Sequence, residues 1–375
     1  MGRTPEQLST NDLPATPEEL LGDLEHPGGP LRLEAFPYSF GSPATGGLYR
    51  LHGPGWTWFG KLLQHVRHWP GLPLLPPEVA ADFVTDFPWR SELVLWDQRF
   101  SGRMPAGLRP PVLHGLVELP DDRVMLWMEA VTESAVPPDL DRFRRAAYLL
   151  GRWNARCVDP DVLAVSEYPP GFALRMYATK AVAQRGLGPL ADDELWSHPW
   201  LVGHQRLRSD LRHLGPLIPV MLDRLDTHVQ ALPHGDASPQ NLLVPATDPD
   251  TFIVIDPSFT SPHALGFDLG QLLVGLVHAG EVPAATMPDI VSAIVPAYQD
   301  GLAAEGISDQ DEAAYDGFVT SLMVRSGFDS FLFDLIDSDE PAERHAFDER
   351  VALSRFVTDL YLDAHPEDRP PTMGR

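Results

Sequence analysis

The sequence predicts an α+β fold of two lobes, with a small strand-rich lobe first and a larger helical lobe after it. Between residues 31 and 128, short runs of apolar and aromatic residues are separated by glycine and proline turns, which is typical of strands. From Leu140 onward, apolar residues recur at three- and four-residue steps, as they do along one face of a helix. The 375 residues are also enough for two lobes with cores of their own.

Residues 1–30 are predicted to form a polar arm and one short helix. Thr16 is suited to the N-cap of that helix, Pro17 to its first position and Glu19 to its third. In such a capping box, two polar side chains satisfy backbone N–H groups that the helix leaves unpaired. We therefore expect the helix to begin at Pro17.

The strand-rich N-lobe is predicted to span residues 31–128. A flexible glycine loop is expected at 41–47, and the third strand of the lobe carries Lys61. A helix is expected over 88–96, because its apolar residues recur at helical spacing on one face, namely Trp89, Leu93 and Trp96. The strands themselves are expected at 31–40, 48–51, 56–63, 112–119 and 124–131.

A hinge is predicted at residues 129–132, followed by a helical C-lobe at 133–365 and a polar tail at 366–375. In the middle of this lobe, two short apolar runs at 242–244 and 252–255 interrupt the helical pattern and predict a hairpin. Protein kinases show the same order of strand-rich lobe, hinge and helical lobe with a central hairpin. The element order therefore predicts a protein-kinase-like bilobal fold, with ATP between its lobes.

Composition limits the compartments and partners that fit this chain. The single cysteine, Cys157, excludes an internal disulfide and a cysteine-based zinc site, and it fits a reducing cytoplasm. No leading charged-then-apolar segment suggests a signal peptide, and no apolar run of about 18 residues suggests a membrane span. We expect a cytoplasmic protein.

The net charge of −25 comes from 53 acidic and 28 basic residues. Such a surface is expected to repel nucleic acids and anionic lipids and to attract cationic small molecules. The same acidity would be explained by plain solubility or by adaptation to salt. We expect no nucleic-acid or membrane partner.

The segment from His234 to Val244 places an acid and an amide five residues apart, on a loop that leads into an apolar strand. The next apolar strand ends in another acid, Asp256. Transfer of a phosphoryl group from ATP needs a carboxylate that receives the proton of the acceptor hydroxyl, and oxygen ligands for Mg²⁺. Asp236 is the predicted catalytic base, and Asn241 and Asp256 are the predicted Mg²⁺ ligands.

Each of these three residues also has a structural explanation. A loop Asp can cap backbone amides, an Asn can form a turn at the entrance to a strand, and an Asp can simply end a strand. The order and the number of the three groups favour the catalytic interpretation.

His234-Gly235-Asp236, followed by Asn241 and Asp256, resembles the motifs of the aminoglycoside phosphotransferase and choline-kinase-like family of small-molecule kinases. The downstream stretch Gly266–Gly270 is similar to the helix that follows the metal-binding loop in that family. The resemblance implies ATP and Mg²⁺ as cofactors. It also implies an acceptor hydroxyl on an aminoglycoside, a related antibiotic, choline or a sugar. A role in antibiotic resistance would follow from the same resemblance.

Residues of the N-lobe and the hinge are expected to bind the nucleotide. Lys61 would bind the α- and β-phosphates, and Glu92 would pair with Lys61 from the helix. A lysine on a strand can also simply face solvent. Adenine is expected to contact backbone groups at the hinge, in Met128, Glu129 and Ala130.

Other features near the site are expected to support it. His234 should brace the catalytic loop through hydrogen bonds, and Asp268 should anchor that loop from the following helix. The glycine loop at 41–47 lacks the Lys and Ser or Thr of a P-loop and leads into a strand. It is therefore either a flexible hairpin over the phosphates or an ordinary turn.

Acidic and aromatic residues are interleaved between Gly327 and Glu340, in the predicted C-lobe. Asp329 and Asp334 in this stretch are the candidate substrate-binding residues, because carboxylates beside aromatic rings suit an ammonium group. An amphipathic helix with a solvated acidic face would explain the same stretch.

These residues predict an ATP- and Mg²⁺-dependent O-phosphotransferase that acts on a small cationic molecule, with an aminoglycoside or related antibiotic as the first candidate. A kinase of an endogenous amino alcohol or sugar, and a catalytically inactive nucleotide-binding scaffold, stay open as alternatives. A protein kinase is disfavoured, because Gly235 replaces the Arg of its catalytic loop and Pro257-Ser258 replaces Phe-Gly. The eleven residues between Asp256 and Asp268 also leave no room for an activation segment.

Overall fold

The computed structural model describes residues 16–38 and 41–371. The predicted arm at 1–15, residues 39–40 and the end of the predicted tail at 372–375 lie outside the described residues. The chain divides into two compact units. The strand-rich unit comprises the residues up to Trp96, with Pro110–Ser134 and Val244–Pro249. The helical unit comprises the remaining segments, which are Asp97–Arg109, Ala135–Leu243 and the residues from Asp250 onward.

Most of the strands precede residue 130, and most of the helices follow it. The strands are β1 (Arg32–Phe36), β2 (Thr45–Gly53), β3 (Trp56–Gln64), β4 (Leu108–Arg109), β5 (Leu113–Leu119), β6 (Arg123–Glu129), β7 (Gln230–Ala231), β8 (Leu242–Leu243), β9 (Phe252–Val254) and β10 (His263–Ala264). The helices are α1 (Pro17–Leu21), α2 (Pro77–Asp86), α3 (Gln98–Ser101), α4 (Leu140–Arg156), α5 (Pro160–Leu163), α6 (Phe172–Tyr177), α7 (Gly188–Ala191), α8 (Gln205–Leu214), α9 (Ile218–Asp226), α10 (Phe267–His278), α11 (Met287–Ala304), α12 (Asp311–Leu322) and α13 (Pro341–Ala364).

The strand-rich unit is an antiparallel sheet in the order β1-β2-β3-β6-β5. Successive residues of a strand point to opposite faces, so Leu62 and Leu63 belong to different clusters. Leu62 packs with Trp127 and with the buried leucines of α1. Leu63 packs in a second cluster against the segment that carries Trp89 and Trp96. The sheet therefore has a packed face on both sides, and the predicted capping box of Thr16 and Glu19 holds α1 in place.

The helical unit is organised around α4, α10 and α11. Helix α4 packs along α11, and α10 is buried along nearly its whole length, because its residues are apolar on every side. Two small sheets, β4-β9-β8 and β7-β10, flank the segment from His234 to Asn241. These short strands fix both ends of the predicted catalytic loop.

Two predicted boundaries in the strand-rich unit are wrong. Strand β1 ends at Phe36 and not at residue 40, because Pro37 has no N–H group for a strand ladder. Strand β2 begins at Thr45, so the predicted loop at 41–47 gives way to a strand after Ala44. Thr45 pairs with Leu63, and a bulge follows between Thr45 and Gly47.

The predicted helix at 88–96 is shorter and wound more tightly than expected. Backbone N–H groups of Trp89 and Ser91 close turns back to Phe87 and Pro88, so a 3-10 helix begins only at Ser91 and ends at Trp96. The expected apolar face is present, since Trp89, Leu93 and Trp96 pack on the sheet.

The α+β class is confirmed, with a strand-rich first unit and a mainly helical second one. The predicted hinge at 129–132 stays a prediction; the division between the units falls between Ser134 and Ala135. Within the described residues, no helix combines the length and the apolar character needed to cross a membrane.

Candidate functional site

Asp236 lies on the loop between β7 and β8, and its side chain is held on both oxygens. The Asn241 Nδ2 donates to Asp236 Oδ2 at 3.1 Å and to its backbone oxygen at 2.9 Å. Ser238 caps the 3-10 turn Pro239–Asn241, which brings the amide back toward the acid. The side chain of Asp236 remains 31% exposed, so a ligand can reach this carboxylate.

Asn241 and Asp256 lie at the same end of the β8-β9 hairpin. Leu242 pairs with Val254, and the Ile255 N–H donates to the Asn241 backbone oxygen at 3.0 Å. Asp256 is the next residue and has a φ of +53°, in the left-handed region that few residues other than glycine adopt. The hairpin therefore brings together the backbones of two residues, Asn241 and Asp256, that are 15 positions apart in sequence.

Asp268, at the start of α10, anchors the predicted catalytic loop through its backbone N–H groups. Its buried carboxylate accepts hydrogen bonds from the backbone N–H groups of His234 at 3.1 Å and Gly235 at 2.8 Å. The Asn154 Nδ2 donates to the same carboxylate at 3.0 Å, and the Tyr298 hydroxyl donates to Asn154 Oδ1 at 2.8 Å. This network fixes the loop to α4, α10 and α11.

His234 is fully buried and braces the loop in one tautomer. Its Nδ1 accepts from the backbone N–H of Asp236 at 3.1 Å, so Nε2 carries the proton and donates to the Ile255 oxygen at 2.8 Å. Burial lowers the pKa of His234, against the opposing charges of Asp268 and Asp236. The imidazole is therefore neutral, and both of its nitrogens are committed to the backbone.

Gly235 is required between His234 and Asp236. Its φ is +83°, and a Cβ at this position would lie 1.5 Å from the backbone oxygen of Ser258. No side chain fits in that space, because the contact is with backbone and not with a movable side chain. The loop after Asp256 thus packs directly on the catalytic loop.

Arg325 is a site residue that the sequence did not indicate. Its Nη2 donates to Asp236 Oδ1 at 2.8 Å, and its Nη1 donates to the backbone oxygen of Gly235. The guanidinium lies 4.0 Å from the ring centroid of Phe259, and the side chain is only 12% exposed. In the sequence, Arg325 stands out only as the single charged residue of the apolar stretch Phe318–Phe328.

Lys61 and Glu92 lie together in the strand-rich unit. Lys61 occupies the middle of β3, between Leu48 on one side and Leu126 on the other. Its Nζ lies 2.7 Å from Glu92 Oε2, and the two side chains are 11% and 9% exposed. A lysine on this strand is therefore not solvent-facing, and the pair is sheltered from water.

The fold of this chain is similar to the folds of solved kinase structures. No protein-family model matches the sequence, and no curated protein matches it. The microcompartment-associated aminopropanol kinase is 13% identical, with a TM-score of 0.53 over 90% of this chain and 93% of that one. An amicoumacin kinase, solved in complex with AMP-PNP, Ca²⁺ and Ami, is 14% identical, with a TM-score of 0.50 over 84% and 85%. An aminoglycoside phosphotransferase from Alicyclobacillus acidocaldarius is 12% identical, with a TM-score of 0.49 over 86% and 90%.

The chain has the fold of the small-molecule kinases. The first two structures carry this conclusion, which confirms the kinase-like fold that the sequence predicted. At these identities the similarity shows the shared fold, and the chemistry has to be argued from the residues of this chain.

The two acidic residues predicted to bind substrate are separated in this kinase fold. Asp329 is 5% exposed, and its carboxylate accepts from the Tyr177 hydroxyl at 2.7 Å and from Arg185 Nη2 at 2.9 Å. Asp334 is exposed on a 3-10 turn at Phe333–Leu335. The segment 327–340 is not an amphipathic helix, and Asp329 is already neutralised by an arginine. The alternative of an amphipathic helix with an acidic face is therefore wrong, and substrate binding by Asp329 and Asp334 stays a prediction.

The predicted adenine-binding residues lie at the end of β6. Met128 pairs with Phe59 and is buried, Glu129 pairs with Trp58, and Ala130 follows the strand. The backbone N–H of Val112 donates to Glu129 Oε2 at 3.1 Å. Adenine contacts by this segment stay a prediction.

Proposed function

We propose that this chain is an ATP- and Mg²⁺-dependent O-phosphotransferase that phosphorylates a hydroxyl of a small molecule. The observation that carries the proposal is the arrangement around Asp236. One oxygen of this partly exposed carboxylate is bound by Arg325 and the other by Asn241, and Asp256 lies opposite Asn241 at the end of the hairpin. An oriented acid beside two oxygen ligands is the set of groups that phosphoryl transfer needs.

Asp236 acts as the base. The acceptor hydroxyl donates a hydrogen bond to its carboxylate and transfers its proton there as the oxygen attacks the γ-phosphorus, while the bond from phosphorus to the bridging oxygen breaks and ADP leaves. Arg325 and Asn241 fix the orientation of the carboxylate before the substrate arrives. Such preorganisation avoids rearranging the loop during the reaction.

Asn241 and Asp256 would hold Mg²⁺. The amide nitrogen of Asn241 is used on Asp236, so its Oδ1 is the ligand atom, and Asp256 offers a carboxylate at the same end of the hairpin. These oxygen donors fit Mg²⁺, which prefers hard ligands. When bound, the ion neutralises charge on the β- and γ-phosphate oxygens.

Lys61 would bind the phosphates of the nucleotide. Its ammonium is a compact point charge, and Glu92 at 2.7 Å holds it in one position on β3. The backbone of Met128, Glu129 and Ala130 would contact adenine. The amicoumacin kinase structure, solved with AMP-PNP and a divalent cation, supports this use of the fold.

The acceptor is proposed to be a small molecule. The aminopropanol kinase and the amicoumacin kinase share the fold and are named for small acceptors. The sequence suggested a cationic acceptor for two reasons, the acidic residue Asp329 and the net charge of −25. Because Asp329 is paired with Arg185, the net charge is the main remaining reason. An aminoglycoside is therefore one member of the acceptor panel below and not its sole focus.

The test is acceptor-dependent release of ADP from Mg²⁺-ATP, with aminoglycosides, amino alcohols, sugars and sugar acids as acceptors. Asp236→Asn should abolish the stimulated release while the affinity for Mg²⁺-ATP changes little. Asp300→Asn is the matched control, because Asp300 is exposed on α11 and should leave turnover unchanged. Near-normal turnover by Asp236→Asn, or tight ATP binding with no stimulation by any acceptor, would refute the proposal.

A further inference from the structure

Three arginines lie on helical elements near Asp236 or Asp329, and we call them the arginine cluster: Arg185, Arg325 and Arg350. Arg185 lies on a π-helical segment at Ala178–Leu187, and Arg325 lies on another at Met323–Gly327. Arg350 lies on α13. Segments wound as π-helix are rare and occur frequently at functional sites. Two of them meet here, since the Gly186 and Phe328 backbones pack closely.

The two carboxylates within the cluster are already paired. Asp236 is bound by Arg325 at 2.8 Å, and Asp329 is bound by Arg185 at 2.9 Å. The hydroxyl of Tyr177 joins the second pair, because it donates to Asp329 at 2.7 Å and accepts from Arg185 at 2.8 Å. An ammonium group would therefore find both acids occupied by guanidinium groups.

The third arginine has no such partner. Among residues 16–38 and 41–371, none gives the guanidinium of Arg350 a hydrogen bond or an ion pair, although its side chain is half-buried. Burial lowers the pKa of Arg350, and the charges of Asp329 and Tyr177 oppose this without restoring it. The three arginines thus carry one more charge than Asp236 and Asp329 neutralise, and that charge is partly removed from water.

The cluster is continuous with the catalytic acid. Phe259 lies between its members, with the Arg325 guanidinium at 4.0 Å and the Tyr177 ring at 5.5 Å from its ring centroid. Burial lowers the pKa of His278 to about 3, and the positive charges of Arg350 and Arg325 lower it further. His278 is therefore neutral and does not offset Arg350.

We infer that the acceptor carries an anionic group, a carboxylate or a phosphate, which binds Arg350 and the exposed part of Arg185 while its hydroxyl lies at Asp236. This inference rests on the proposed function. Arg185 has 61% of its side chain exposed, so it can bind a ligand while it holds Asp329. Guanidinium groups bind carboxylates and phosphates in a fixed geometry, through paired N–H donors.

The negative charge of the whole chain does not oppose this assignment. Exposed charges are screened over about 8 Å at physiological ionic strength. The groups that decide which ion binds are therefore the nearest ones, and among these Asp236 and Asp329 are already paired with Arg325 and Arg185. The distant acidic surface affects the rate of encounter more than the preference of the site.

The experiment compares acceptors that share a skeleton and differ in charge. One series is glucuronate, glucose phosphate, glucose and glucosamine; the other is glycerate, glycerol phosphate, glycerol and aminopropanediol. Binding is measured by isothermal titration with Mg²⁺-ADP present, and turnover by ADP release from Mg²⁺-ATP. The carboxylate and phosphate members distinguish the two anionic classes.

The wild-type chain should bind an anionic member most tightly in at least one series. Arg350→Gln should weaken that binding by about 10- to 100-fold more than it changes binding of the neutral member, and Arg350→Lys should recover part of the loss. Arg344→Gln is the matched control. Arg344 lies on the same helix but pairs with Asp348, so its loss should leave anion binding unchanged.

The inference would be overturned by tighter binding of the ammonium member in both series, by equal effects of Arg350→Gln and Arg344→Gln, or by no binding of any anionic member up to its solubility limit. Binding of an anion that depends on Arg350, without turnover of any acceptor, would support the inference and refute the proposed function. Turnover that does not depend on Arg350 would support the proposed function and overturn the inference.

Discussion

Arg325 Nη2 and Asp236 Oδ1 lie 2.8 Å apart, although 89 residues separate them in the chain. The same guanidinium donates to the backbone oxygen of Gly235 and stacks on Phe259. One side chain thus holds the proposed base, its loop and an aromatic residue of the following loop. We regard Arg325 as a positioning residue for Asp236.

Replacing Arg325 should therefore reduce kcat more than it changes the KM for ATP. Arg325→Met removes all three contacts, and we expect kcat to fall by about 100-fold, the effect of a small misplacement of a reacting group. Arg325→Lys keeps the charge but cannot make both hydrogen bonds, so it should recover little. Steady-state kinetics with saturating acceptor measures kcat and the KM for ATP separately. An unchanged kcat in Arg325→Met would argue against the positioning role.

Gly235 should tolerate no side chain. Gly235→Ala places a Cβ 1.5 Å from the Ser258 oxygen at a φ of +83°, so we expect a loss of about 3 kcal/mol or more in the free energy of unfolding. Gly280→Ala is the matched control, because Gly280 has a φ of +72° and no atom within 4 Å of an added Cβ. It should lose only the backbone cost of about 1–2 kcal/mol. Urea unfolding compares the two, and equal losses would show that the Ser258 contact is unimportant.

Glu92 should matter through Lys61. Glu92→Gln removes the carboxylate at 2.7 Å from the Lys61 ammonium, and we expect the KM for ATP to rise by about 10-fold. Glu118→Gln is the control in the same unit, because the Glu118–Arg90 pair is exposed and such pairs contribute little. If both variants keep the wild-type KM and kcat, another residue holds the phosphates.

Asp316 on α12 should make the helical unit sensitive to acid. Burial raises the pKa of Asp316, but hydrogen bonds from His228, His365 and Thr320 outweigh it and hold the pKa below its usual range. A lowered carboxyl pKa contributes stability that is fully present above about pH 4, the unfolded value. That stability is lost as the pH falls toward the folded value.

The corresponding variant is Asp316→Asn. We expect it to lose about 2 kcal/mol in the free energy of unfolding at pH 7, and this loss should shrink as the pH falls from about 4 toward the folded pKa of Asp316. Urea unfolding at several pH values gives this difference. A difference that stays constant with pH would mean that the histidine hydrogen bonds do not set the charge state of Asp316.

The part of the site that the sequence predicts is the part that is local in the chain. Asp236, Asn241 and Asp256 fall within 21 residues, and a loop and one hairpin are enough to bring them together. The proximity of these three residues can therefore be predicted from their spacing in the sequence. Their catalytic roles stay predictions, which the variants above test.

The parts that the sequence does not predict depend on packing between distant segments. Arg325 reaches the site from an element far along the chain, and a single Arg has no spacing pattern of its own. The helix that the sequence suggests over 327–340 is absent for a related reason. The interleaved acids and phenylalanines of this segment suit a helix, but Asp329 is taken up by Arg185, which lies 144 residues earlier.

The π-helical segments Met323–Gly327 and Ala178–Leu187 make the geometry of the site depend on the number of residues in them as well as on which residues they are. In an α-helix, each residue turns the chain by about 100°. Deleting one residue just before Arg325 would therefore swing its side chain about a third of a turn away from Asp236. Indels in these two segments should be tolerated less well than most substitutions there, so length polymorphism would be a more sensitive marker of lost activity than residue changes.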